Sequence, residues 1–97
     1  MTYMGLFIVY ARDAIAQQQI ERELCFLKDH VAREQGYERA DVLSQDDGLM
    51  VGFVSVWASR EDAMLFDDSG INRLLMTVTK LRMTGTPVVK LFRVIKE

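Results

Sequence analysis

The sequence predicts an α+β fold with the order β-α-β-β-α-β: a four-stranded antiparallel sheet carrying both helices on one face. Three observations carry this prediction. Two stretches repeat apolar residues at helical spacing, Ile20, Leu24, Leu27 and Val31 in one and Ile71, Leu74, Leu75, Val78 and Leu81 in the other. Between them, two strand-like runs flank Asp46-Asp47-Gly48, a turn sequence that closes a hairpin. Short runs rich in Val, Ile, Phe and Tyr open and close the chain. Two interlocked right-handed βαβ crossovers assemble these elements into the ferredoxin-like arrangement.

With 97 residues the chain has core enough for one domain, residues 1–97. Apolar residues at 49% and charged residues at 27% fit a folded globule and exclude a disordered chain. A net charge of −2 with scattered basic residues argues against nucleic acid as a partner. The lone cysteine, Cys25, has no internal partner, which fits a reducing compartment. The N-terminal apolar run reaches Arg12 and Asp13 too soon for a signal peptide or a membrane span. The expectation is a cytoplasmic protein with no membrane partner.

Leu6 to Ala11 is apolar throughout and reads as a strand buried on both faces. Asp13 can cap the following helix, Ala14 to Gln35, which Gly36 ends in a left-handed conformation. Phe26 lies nearly opposite the apolar stripe, either as an isolated exposed aromatic or as a subunit contact. Tyr37 to Gln45 is polar enough for a sheet edge, and Leu49 to Ala58 apolar enough for the interior. Gly48 is expected to give the hairpin turn its positive φ. Ser59 opens the second helix as a capping-box-like start, with Glu61 and Asp62 favourable at its dipole. That helix breaks at Asp67 to Gly70, where a polar residue can recap a second segment. Gly85 and Pro87 end it, and Val88 to Ile95 is the last strand.

Two helices cover one face of such a sheet, yet the strands are apolar on both. Leu6, Ile8 and Tyr10 oppose Phe7, Val9 and Ala11, and Val88, Phe92 and Val94 oppose Val89, Leu91 and Ile95. Burying a large apolar side chain is worth roughly 1.5–3 kcal/mol, so an uncovered row forfeits several. A homodimer, sheet against sheet, follows as an expectation.

Little in the chain names a reaction. His30 has no second histidine, cysteine or carboxylate at ligand spacing, so no metal site is expected. Ser59 reads as a cap and Cys25 lies off the core stripe. Lys80 and Arg82 suit a helix C-terminus. Trp57 has two readings. It is a core tryptophan whose indole N–H finds a backbone partner, or it walls a cavity with Phe53 and Ser55, which share its face by period two. Among the tyrosines, Tyr10 is the one expected to show its hydroxyl to a cavity.

The segment VSVWASREDAMLFDDSGINRLL, followed by TPVVKLFRVI, resembles the antibiotic biosynthesis monooxygenase family of dimeric α+β barrels. The matching features are Trp57, Ser59, Glu61, Asp62, Phe66, Ser69, Leu74 and Leu75. The resemblance implies a two-fold dimer with facing sheets and a pocket between sheet and helices. Some relatives oxidise polyphenols or quinols with O₂ and no cofactor, and others degrade haem. The haem-degrading branch uses an Asn on the first strand and a His in the second helix. Here the first strand has no Asn, and Asn72 stands where related sequences often have the His. Phe53 and Thr77 lie near where the cofactor-free oxygenases carry polar residues. The function implied is a cofactor-independent monooxygenase of a small aromatic or quinol, with Trp57, Tyr10, Phe53, Phe66 and Asn72 as pocket candidates. The alternative is a non-catalytic ligand-binding or structural homodimer of the same fold.

Overall fold

A computed structural model of the chain describes residues 1–67 and 69–95, with the backbone alone at 70, 71, 74, 75 and 78. The elements are β1 (Tyr3–Ala11), α1 (Ala14–Val31), β2 (Tyr37–Ser44), β3 (Met50–Trp57), α2 (Arg60–Asp67), α3 (Gly70–Lys80) and β4 (Met83–Arg93). The strands form one antiparallel sheet in the order β2-β3-β1-β4. This is the expected ferredoxin-like α+β architecture, with the second helix in two pieces.

Register assigns the faces. Gly5 pairs with Ser55 and Leu91, and Phe7 with Phe53 and Val89. The odd-numbered residues of β1, β3 and the C-terminal half of β4 therefore share the helix-covered face. There Phe7, Val9, Ala11, Val51, Phe53 and Trp57 meet Ala16, Ile20, Leu24, Leu27 and Val31 of α1 in the core. The polar strand β2 is an edge and β3 is interior, as its composition requires.

Local chemistry sets the ends of the elements. Asp13 Oδ1 accepts from the Ala16 N–H at 2.7 Å and caps α1. α1 stops at Val31, short of the expected Gln35, because the N–H groups of Arg33 and Glu34 turn back to His30 and Val31. Gly36 does have positive φ, +77°, but within the turn into β2. There its missing side chain lets Asp62 approach, since a Cβ would sit 2.0 Å from Asp62 Oδ2. Asp62 accepts from Gln35 Nε2 at 3.0 Å and from the Ser59 hydroxyl at 2.9 Å, joining the turns before β2 and α2.

The hairpin loop differs from expectation. It spans 45–49 and Gly48 does not have positive φ. Gly48 instead lies under the Gln45 side chain: a Cβ would come 2.1 Å from Gln45 Oε1, which accepts the Met50 N–H, and would displace it. From α1, Gln17 Nε2 donates into this loop, to the carbonyls of Gly48 (3.0 Å) and Gln45 (3.2 Å).

The break in the second helix falls where polar residues predicted it. Ser69 Oγ accepts from the Asn72 N–H at 3.3 Å and recaps α3. The expected stripe of Ile71, Leu74, Leu75 and Val78 concerns side chains outside the described residues. Its last member, Leu81, lies beyond α3 in a turn and is 69% exposed. Arg82 follows it and binds Gln19 Oε1 (2.9 Å) and Glu23, while the buried Thr79 hydroxyl donates to Glu23 Oε2 (3.1 Å). This network fastens the end of α3 to α1, a role the helix-dipole reading of Arg82 did not include. β4 begins at Met83, before the expected Val88, and absorbs Gly85 (φ +70°) and Pro87 in a bulge opposite Val9. Proline is tolerated because β4 is an edge strand and the bulge asks for no N–H.

Candidate functional site

A cavity of about 300 Å³ opens between the sheet and the α2–α3 arm. The sheet supplies its floor. Trp57, Ser55 and Phe53 come from β3, Gly5 and Phe7 from β1, and Val89 and Leu91 from β4. Ala63, Met64, Phe66 and Asp67 of α2 and Asn72 and Met76 of α3 form the opposite wall, with Leu27 of α1 at the back. The lining is mostly apolar, and its polar groups are few: the Ser55 hydroxyl, the Asn72 amide, Asp67 and Lys90. A concave apolar site with a few polar groups is the ordinary form of a small-molecule pocket.

Trp57 is the anchor. It is 1% exposed, stacks on Phe66 (centroids 5.1 Å, 26°) and meets Tyr37 edge-on (6.3 Å, 82°). Its indole N–H donates to Ser55 Oγ at 2.9 Å, a side-chain partner and not the expected backbone one. The ring is core on one side and cavity wall on another.

The register brings Ser55 opposite Gly5, where a Cβ would stand 3.0 Å from Ser55 Oγ. Glycine keeps the floor open beside this hydroxyl. Asn72 is held at the start of α3 by the Ser69 cap, and its Nδ2 donates to the Asp67 carbonyl at 3.2 Å. The amide thus hangs across the helix break at the cavity rim.

Of the sequence candidates, Trp57, Phe53, Phe66 and Asn72 line this one cavity. Tyr10 does not. It pairs with Met50 on the even-numbered face, turned away from the helices, and is 51% exposed. The alternation of β1 places it with Leu6 and Ile8, so its hydroxyl cannot reach the pocket. Sequence reasoning missed Gly5, Leu27, Met64, Met76, Val89 and Leu91. Only Gly5 carried a signal, as a lone glycine in an apolar strand marks a close approach.

The remaining candidates sit elsewhere. Ser59 caps α2, its Oγ accepting from the Asp62 N–H at 3.2 Å. His30 lies on α1 with Nδ1 3.1 Å from the Phe26 carbonyl oxygen and its ring tilted against Phe26. Cys25 is exposed. Among the described residues no group of three or more His, Cys, Asp or Glu is placed to hold a metal ion. Among the same residues, no helix is long and apolar enough to cross a membrane.

No family profile matches the sequence, and no curated protein matches it. Solved structures match closely in fold. Rv0793 from Mycobacterium tuberculosis superposes with a TM-score of 0.87 at 14% identity, over 100% of this chain and 98% of that one. SnoaB, a cofactor-independent oxygenase from Streptomyces nogalater, gives 0.82 at 14% identity over 99% and 95%. A structure described as an antibiotic biosynthesis monooxygenase gives 0.83 at 10% identity over 97% and 99%. At these identities the likeness establishes the fold: the chain has the architecture of the antibiotic biosynthesis monooxygenases.

Proposed function

We propose that this protein is a cofactor-independent monooxygenase acting on a small aromatic or quinol substrate held in the cavity beside Trp57. The observation that carries the reading is the cavity itself. Its floor and walls are aromatic and apolar, its volume of about 300 Å³ suits one or two fused rings, and it lies in a fold shared with a cofactor-independent oxygenase. A substrate rich enough in electrons needs no reductant. A two-ring quinol and O₂ balance as a hydroxyquinone and water, with all four electrons drawn from the substrate.

The protein's part is to desolvate the substrate and favour its anion, the form that gives electrons to O₂. Ser55 and Asn72 supply the hydrogen-bond donors that stabilise a developing oxyanion. Trp57 packs against the ring without bonding it, since its N–H is already engaged by Ser55.

Oxygen uptake with a panel of quinols and hydroxylated polycycles, after dialysis against chelator, tests the reading. Uptake is expected to persist without metal and to fall at least ten-fold in Trp57→Phe. A second reading is favoured by the apolar Phe53 wall and the lack of a histidine among the described lining residues. It is a non-catalytic binding protein of the same fold. Binding without uptake across the panel would establish it in place of the enzyme.

The working unit is proposed to be a homodimer in a reducing, cytoplasmic setting. Met4, Leu6, Ile8, Tyr10, Val54, Val88 and Phe92 share the sheet face that no helix covers, and Phe92 is 48% exposed. A second copy laid on this face buries that row, at roughly 1.5–3 kcal/mol per large side chain. Light scattering at micromolar concentration should return twice the 11.1 kDa chain mass. Ile8→Lys should return the monomer.

A further inference from the structure

We infer that Ser55 is the group that recognises an oxygen atom on the bound ring, and that Trp57 acts as its positioning residue. The inference rests on the cavity being a ligand site and names the chemistry it selects.

Ser55 is 5% exposed, on the floor of the cavity. Its Oγ accepts the Trp57 indole N–H at 2.9 Å. An indole N–H only donates, so this bond occupies a lone pair and leaves the hydroxyl proton uncommitted. Among the described residues that proton meets no acceptor. The open space beside Ser55 is the place where an accepting partner would sit. The neighbouring strand keeps that space clear: Gly5 pairs with Ser55, and any larger residue would put a Cβ 3.0 Å from the hydroxyl oxygen.

The chain of bonds then runs from Trp57 N–H to Ser55 O–H to a ligand oxygen, each strengthening the next. The ligand class is a small aromatic with an accepting oxygen, a phenol, phenolate or ring carbonyl, in preference to the bare hydrocarbon. No covalent step on Ser55 is involved.

The probes are 1-naphthol and naphthalene, which differ by the oxygen alone. Titration calorimetry of the intact protein is expected to show a naphthol-to-naphthalene affinity ratio about five-fold higher than in Ser55→Ala. Because Ser55→Ala also strips the buried indole N–H of its partner, a measurement on the unaltered protein stands beside it. Trp57 is the only tryptophan, so its indole N–H gives one resolved resonance in ¹⁵N-labelled protein. That resonance should move downfield with 1-naphthol and not with naphthalene. An equal ratio in both proteins, or an indole resonance that answers both probes alike, overturns the role of Ser55 and leaves the cavity as a ligand site. Binding of neither probe overturns the ligand site and this inference together.

Discussion

The two halves of the helical layer are built differently. Chiefly over β2, and reaching β3 and β1, lies α1, an unbroken helix of 18 residues whose Ile20, Leu24, Leu27 and Val31 are fully buried. The α2–α3 arm is broken after Asp67, with α2 over β1 and β3 and α3 toward β4, and Val89 and Leu91 of β4 remain exposed. A continuous helix lays one straight apolar stripe along the sheet and leaves no gap. Under the broken one, space is left between arm and sheet, and that space is the cavity. The lesson is that the site arises where packing is interrupted, and the interruption is written in a few polar residues.

The largest expected effect tests the packed half against the open half. Leu24→Ala should cost about 2–5 kcal/mol, as it empties a site with no room to collapse. Met76→Ala, half-buried on a wall that already faces space, should cost about 1 kcal/mol. Urea unfolding reads both, and equal losses would break the contrast. Next come the two caps. Asp13→Ala and Ser69→Ala should each cost about 1 kcal/mol. Only Ser69→Ala should also weaken naphthol binding by calorimetry, because the Ser69 cap fixes Asn72 at the rim. The smallest effect on stability is the sharpest on function. Val89→Trp, at an exposed lining position, should shift stability by no more than about 0.5 kcal/mol and abolish probe binding.

Much of this contrast was legible in the residues. The stripe of α1 matches its buried set at Ile20, Leu24, Leu27 and Val31, because a helix against a sheet can bury only one row. The helix break was legible from Asp67 to Gly70, and Ser69 is the residue that recaps. Phe53, Ser55 and Trp57 share a face by simple alternation. Tyr10 shows where the reading stopped. β1 is apolar on both faces, so its pattern does not say which face the helices take, and one residue of parity moves a side chain across the sheet. Gly36 marks the same limit, since the space beside it is taken by Asp62, a side chain distant in the sequence.

By itself the sequence determined the order of elements, the edge and interior strands, the apolar row of α1 and the place where the second helix breaks. These depend on period, propensity and capping, which act between residues near in the chain. Tertiary structure alone decided that Gly5 stands against Ser55, that Trp57 bonds Ser55, and that Arg82 fastens α3 to Gln19 and Glu23. Those contacts join residues from separate elements or turn on which face a strand presents. Register and helix angle are set only when the whole layer packs, and the cavity is the space that this packing leaves over.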